Sequence, residues 1–230
     1  MTVAVDVLPD DAVALYSETL AGVAEALPSL ELAEQRLAPI AGEVWTGTLT
    51  LQGTTATAGI TDRSSRRVSD RTRARVFLRD GFLCTYCGGR TIPRCVLVAI
   101  SDVFPEALPY YAHYRRGTVH PAYWALAPEA DHKLAHASGG SSDVDNLTTL
   151  HAMCNTRKSS LAAESLPQVQ LVPPATETSW DGLLSRYADL VIAGNHRGRR
   201  HSASGYHLQW LQRFDRQADA ARVLEAPISR

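Results

Sequence analysis

The sequence predicts an α+β fold: a small unit of two strands and a helix, clamped by a metal, with helical additions at both ends. Three observations predict it. Two short ligand pairs, Cys84-Thr-Tyr-Cys87 and His151-Ala-Met-Cys154, lie far apart in the chain yet share the two-residue spacing of a metal knuckle. Between them, a polar loop that contains Gly139 and Gly140 separates Asp131-His132 from Asp145-Asn146-Leu147. Near both ends, apolar residues recur at helical intervals.

Taken in order, residues 11–27 read as an amphipathic helix, because Val13, Tyr16, Leu20, Val23 and Leu27 share a face; Asp10 can cap it and Pro28 stops it. A shorter helix is expected over Ser29–Leu37. Residues 44–51 alternate, with Trp45, Leu49 and Leu51 on one face, and Thr54–Ile60 can return as the second strand of a hairpin after Gly53. Ser69 as N-cap, Asp70 in the first turn and Gly81 after the last predict a helix over 70–80, with Val76 and Phe77 inward. Residues 88–128, rich in proline and aromatics, read as irregular: a local core, or aromatics interleaved with Arg115 and Arg116 that stack on bases. Pro167, Pro173 and Pro174 mark a linker, and helices follow at Asp181–Ile192 and His207–Leu224. The organisation expected is a helical and hairpin element at 1–60, a central domain at 61–165 with a long insertion at 88–128, and a helical region at 175–230.

Charge is distributed unevenly. The chain of 230 residues has a net charge of −1, but residues 1–60 carry eight acids against Arg36 alone, which leaves the remainder at +6. An acidic front and a basic body suit a polyanion-binding module with an appendage. The bases crowd ahead of the first knuckle, where Arg66, Arg67, Arg71, Arg73 and Arg75 form either a phosphate-contacting surface or a solvated face. No run approaches the roughly 18 apolar residues of a membrane span, so no membrane partner is expected. The N-terminus shows no basic segment followed by an apolar run, which predicts a cytoplasmic location with reduced thiols.

The two knuckles together can wrap one tetrahedral Zn²⁺ with three thiolates and one imidazole: Cys84, Cys87, His151 and Cys154. A redox pair at Cys84 and Cys87 is the alternative. Cys95 could replace His151 as ligand, but its neighbours Val96, Leu97 and Val98 suggest a buried thiol. Between the knuckles lie Asp131-His132, Gly139-Gly140 and Asp145-Asn146-Leu147, and Asn155 and Lys158 follow Cys154. A unit this small buries little apolar area, so the zinc is expected to be structural.

This ordered set, preceded by Arg79-Asp80-Gly81, resembles the HNH endonuclease family over about residues 70–162, less the 88–128 stretch. The chain departs from the family pattern in two ways: His151 stands where a cysteine is usual, and the segment before Asp131-His132 is long. The resemblance implies a ββα-metal core, with a strand that ends near Asp131-His132, a second over about 147–151 and a helix from near Ala152, that hydrolyses DNA to 5′-phosphate and 3′-hydroxyl ends. In such a core Asp131 and Asn155 hold a catalytic Mg²⁺ or Mn²⁺, and His132 is the general base. Asn146 ties the loop, and Arg157 or Lys158 contacts a phosphate. A restriction-type enzyme fits a chain of this size, and the end helices could pair two copies as a homodimer. The alternatives are a zinc-stabilised nucleic-acid-binding module without catalysis, and a ribonuclease or toxin nuclease.

Overall fold

The helical spacing at the N-terminus becomes α1 (Ala12–Glu25), with Tyr16, Leu20 and Val23 buried, and α2 (Leu30–Leu37), whose cap Ser29 accepts from the Leu32 amide at 3.3 Å. Asp10 does not cap α1; Asp11 holds the cap position and makes no side-chain cap bond. A computed structural model describes residues 2–48, 68–134, 139–158, 179–197 and 205–226. Among these, no helix is long and apolar enough to cross a membrane.

The architecture is α+β, with two small two-stranded sheets among helices. The strand expected over 44–51 is short, and its described partner is not a hairpin return. Strand β2 (Glu43–Trp45) pairs in parallel with β1 (Val3–Val5), with α1 and α2 as the crossover that parallel strands require. The expected return strand at 54–60 lies outside the described residues. Backbone groups of the 88–128 stretch complete this sheet: the Trp45 amide donates to Val119 O at 2.8 Å and the Gly42 amide to Ala107 O at 2.8 Å.

That stretch is not irregular throughout. It holds α4 (Arg94–Val103), in which every side chain from Cys95 to Val103 is buried, and α5 (Ala122–Leu126). A helix enclosed on all sides needs no polar stripe, so the sequence shows no amphipathic period there. Its aromatics form a local core, in which Tyr114 packs edge-on to both Tyr123 and Trp124. Helix α7 (Leu184–Arg197) lies along α4, where a side chain at Gly194 would stand 3.1 Å from Asp102 Cβ. The single helix expected over 207–224 is two, α8 (Tyr206–Arg213) and α9 (Gln217–Glu225). The chain turns at Asp215, whose φ of 56° is one aspartate tolerates, while the Arg216 amide closes on Leu211 O at 2.8 Å and Phe214 stays buried. A buried chain of polar groups joins these helices to α4: Tyr187 OH lies 2.8 Å from His207 Nδ1, and His207 Nε2 3.2 Å from Asp102 Oδ2.

Helix α3 (Asp70–Arg79) forms as capped in the sequence, with Ser69 Oγ accepting from the Thr72 amide at 3.1 Å and Val76 and Phe77 buried. It packs on both strands of the second sheet, β3 (Pro128–His132) and β4 (Leu147–His151), which run antiparallel with His132 opposite Leu147. Helix α6 (Ala152–Lys158) follows β4 directly.

His120 joins the N-terminal elements to the 88–128 stretch. Its Nε2–H donates to Ile40 O at 2.8 Å and its Nδ1 accepts from the Ala122 amide at 3.1 Å, so the neutral ring has both nitrogens in use. Burial pushes this imidazole down to about 4, with the bond to Ile40 acting in the other direction. Below about pH 6.5 the unfolded chain takes up a proton that the folded chain refuses until about pH 4. Stability therefore falls as pH drops through that window, by about 3 kcal/mol in all. Glu43, whose Oε2 lies 3.8 Å from His120 Nε2, is raised by its own burial and acts in the opposite sense. Urea midpoints of His120→Gln should fall less steeply than those of the unsubstituted chain between about pH 7 and about pH 4.5; equal slopes would remove His120 as the source.

Candidate active site and metal centre

Antiparallel pairing with β4 sets the end of β3 and with it the half-buried Asp131 and His132. The polar loop beyond is closed by one side chain. Asn146 Oδ1 accepts from the Leu134 amide at 2.9 Å, and its Nδ2 donates to Leu134 O at 3.1 Å and to Ser141 O at 2.7 Å. The Lys133 amide donates to Asn146 O at 2.8 Å. Gly140 is required here, because a Cβ would overlap the Leu134 carbonyl and crowd Asn146 Nδ2 at 2.8 Å. His132 Nε2 lies 3.1 Å from Ser142 Oγ.

Arg79 and Asp80 organise the loop from outside. Arg79 donates to Val144 O at 2.6 Å and to Leu147 O at 2.7 Å, so it grips the chain on both sides of Asn146. Asp80 is buried, pairs with Arg79 at 2.7 Å and accepts from the Thr149 amide at 2.9 Å. These bonds satisfy two backbone groups of β4, Leu147 O and the Thr149 amide, and one just before it, Val144 O. In the sequence this pair is part of a motif but has no evident role, since its partners lie far along the chain. Ser142 and Glu129 do not stand out in the sequence either. Glu129 binds Arg73 at 3.0 Å and Arg94 at 3.2 Å, tying α3 and α4 to β3. A serine in a polar loop and a lone glutamate give no signal in sequence.

Cys84, Cys87, His151 and Cys154 converge, with all four donor atoms within 4.8 Å of one another. Cys87 Sγ lies 3.3 Å from His151 Nδ1 and 3.9 Å from Cys154 Sγ. Zinc–sulfur bonds of about 2.3 Å give tetrahedral sulfur edges of about 3.8 Å, so the donor set fits a tetrahedral dication. The other nitrogen of His151, Nε2, donates to Arg90 O at 2.9 Å, which fixes the ring and points Nδ1 inward. Gly89 leaves room for this: a Cβ there would stand 2.7 Å from Val13 Cγ1 and 3.1 Å from His151 Cε1. Charges within the cluster conflict. Hydrogen bonds from Cys154 and Cys87 hold the Cys84 thiol far below its usual range, while Cys84 and Cys87 push Cys154 up. Burial alone would lower His151, yet the sulfurs of Cys84 and Cys87 carry it up to about 10. A central cation would resolve this competition for protons. Cys95 stands apart, buried in α4, with its thiol pushed up to about 12 by that burial.

Asn155 is half-buried on α6 and follows Cys154 directly, so the cluster fixes its backbone position. Arg157 is exposed on the same helix, and Lys158 is its last residue. Arg71 and Arg75 are exposed on α3, whereas Arg73 turns to Glu129 and to Val68 O. Arg66 and Arg67 lie outside the described residues.

No curated protein and no solved structure matches the chain. A family model does match, over residues 125–161. That span runs from the end of α5 through α6 and holds Asp131, His132, Asn146, Asn155 and the second knuckle, but neither the first knuckle nor Arg79 and Asp80. By this match, residues 125–161 form a segment of the HNH endonuclease family, a family of nucleases.

Proposed function

We propose that the chain is a metal-dependent HNH endonuclease that hydrolyses DNA phosphodiester bonds and leaves 5′-phosphate and 3′-hydroxyl ends. The observation that carries the reading is the family match over a continuous unit of β3, the Asn146-closed loop, β4 and α6. In this reading the unit is the ββα-metal core, and Cys84, Cys87, His151 and Cys154 hold a structural zinc. Asp131 and Asn155 offer the oxygen donors that Mg²⁺ or Mn²⁺ prefers. When bound, that cation supplies charge stabilisation at the phosphorane and the departing 3′ oxygen. His132 takes the proton from the attacking water, with Ser142 Oγ beside its Nε2. Asn146 holds the loop that follows His132. Arg71, Arg75, Arg157 and Lys158 supply phosphate contacts, while Arg73 serves the joint between α3 and β3. A restriction-type role, with two copies cutting opposite strands, accords with these additions on both sides of the core.

The test incubates zinc-loaded protein with supercoiled plasmid and with RNA, with and without added Mg²⁺ or Mn²⁺. Nicked and linear DNA is expected only with added cation, with ends that a ligase rejoins without further treatment. Binding of DNA without cutting under any of these conditions would favour the non-catalytic module, and preferential cutting of RNA a ribonuclease.

A further inference from the structure

We propose that α8 and the start of α9 form, with α3, a groove that grips a DNA duplex beside the candidate active site. The inference rests on the nuclease reading for its partner; the groove itself is read from the structure. It has a volume of about 530 Å³, and all its lining residues are polar or charged. Arg71 and Arg75 line it from α3, Gln209, Gln212 and Arg213 from α8, and Asp215 and Gln217 close the far end. Three guanidinium groups thus face one carboxylate, in a chain whose charges otherwise nearly cancel. Such a lining rejects an apolar ligand and favours a polyanion.

The arginines of α3 are sorted by direction. Arg73 is committed to Glu129 and Arg79 to the carbonyls of Val144 and Leu147, whereas Arg71 and Arg75 are exposed on the groove side. Those two stand one helical turn apart, about 6 Å, so they can address successive phosphates. Arg213 is held in place on the opposite wall. Its guanidinium lies over the Trp210 ring at 5.2 Å, bonds Gln209 Oε1 at 3.4 Å and sits 3.5 Å from Asp70. The three glutamines carry no charge that a solvated face would need. Gln209 Oε1 already accepts from Arg213, and the amides of Gln212 and Gln217 offer a donor and an acceptor side by side, which suits base edges as well as phosphates.

Placement selects duplex DNA over a small anion. Helix α3 packs on β3 and β4, so the groove and the Asp131-His132 strand flank the same helix. A helix is about 10 Å thick, so groove and strand lie about that far apart across α3, a span of about three base-pair steps. The C-terminal helices thereby become part of the substrate surface.

Asp215 provides a test that does not depend on damaging the fold. Its backbone lies at φ 56°, which asparagine adopts as readily as aspartate, so Asp215→Asn removes the one lining carboxylate without strain. Duplex binding is measured by fluorescence anisotropy with zinc-loaded protein and no added Mg²⁺ or Mn²⁺, over a range of salt. Asp215→Asn should bind several-fold tighter. The double variant Arg71→Ala with Arg75→Ala should bind roughly tenfold weaker, with a salt slope smaller by about 0.9 for each phosphate that is no longer neutralised. Gln212→Glu should also weaken binding. If the unsubstituted protein binds and cuts duplex DNA while all three variants match it in affinity and salt slope, the groove does not touch the duplex and the nuclease reading stands. If the unsubstituted protein neither binds nor cuts, the nuclease reading fails and the DNA assignment of the groove fails with it.

Discussion

Stripping the metal from the four-donor cluster, or replacing Cys154 with Ser, is expected to unfold the β3–β4–α6 unit and abolish nuclease activity. The cluster joins the Cys84–Cys87 knuckle to the stretch where β4 runs directly into α6. Structural zinc contributes about 10–16 kcal/mol of apparent binding free energy, as much as the whole stability of a typical domain, about 5–15 kcal/mol. Without the ion, three thiols and an imidazole crowd together, Cys84 driven low, Cys154 driven high and His151 carried up to about 10. Metal analysis after dialysis should find about one zinc per chain, and thermal melts with and without a strong chelator should differ by tens of degrees. A protein that holds no zinc and melts at the same temperature in chelator would remove the metal-centre assignment.

His132→Ala is expected to lower the rate of plasmid cleavage by roughly 10²- to 10⁴-fold, the usual contribution of a positioned general base. Zinc content and melting temperature should change little, because the ring is half-buried at a strand end rather than in the core. The pH profile gives a readout that a structural role would not produce. With the base intact, the rate should rise with pH as the imidazole loses its proton, and His132→Ala should lose that rise. Undiminished cutting by the variant, or an unaltered pH profile, would assign the proton transfer to another group.

The parts of the site legible in the sequence are those whose chemistry forces a spacing. A tetrahedral ion demands two short ligand pairs, and the four residues so identified converge. Capping chemistry located α3 through Ser69 and Gly81, and the family resemblance carried by the residues from Asp131 to Asn155 located β3, β4 and the start of α6. What the sequence does not reveal depends on contacts between distant segments. Helix α4 is buried on every side and so carries no period. The pairing of β1 with β2 joins two three-residue strands across two helices. The break between α8 and α9 turns on one aspartate with positive φ, at a site where Phe214 continues the apolar spacing of a longer helix. Arg79 and Asp80 are visible as letters of a motif, but their purpose emerges only when β4 lies beside them.

The Arg79–Asp80 clamp bears on portability. Three main-chain groups of the 125–161 segment, two carbonyls and one amide, are answered by side chains upstream of its boundary. Transplanted alone into another scaffold, that segment would arrive with those groups unanswered and with half its zinc ligands left behind. A workable cassette therefore begins before Ser69, and a recipient protein that lacks an equivalent guanidinium–carboxylate couple will let the grafted hairpin slip out of register.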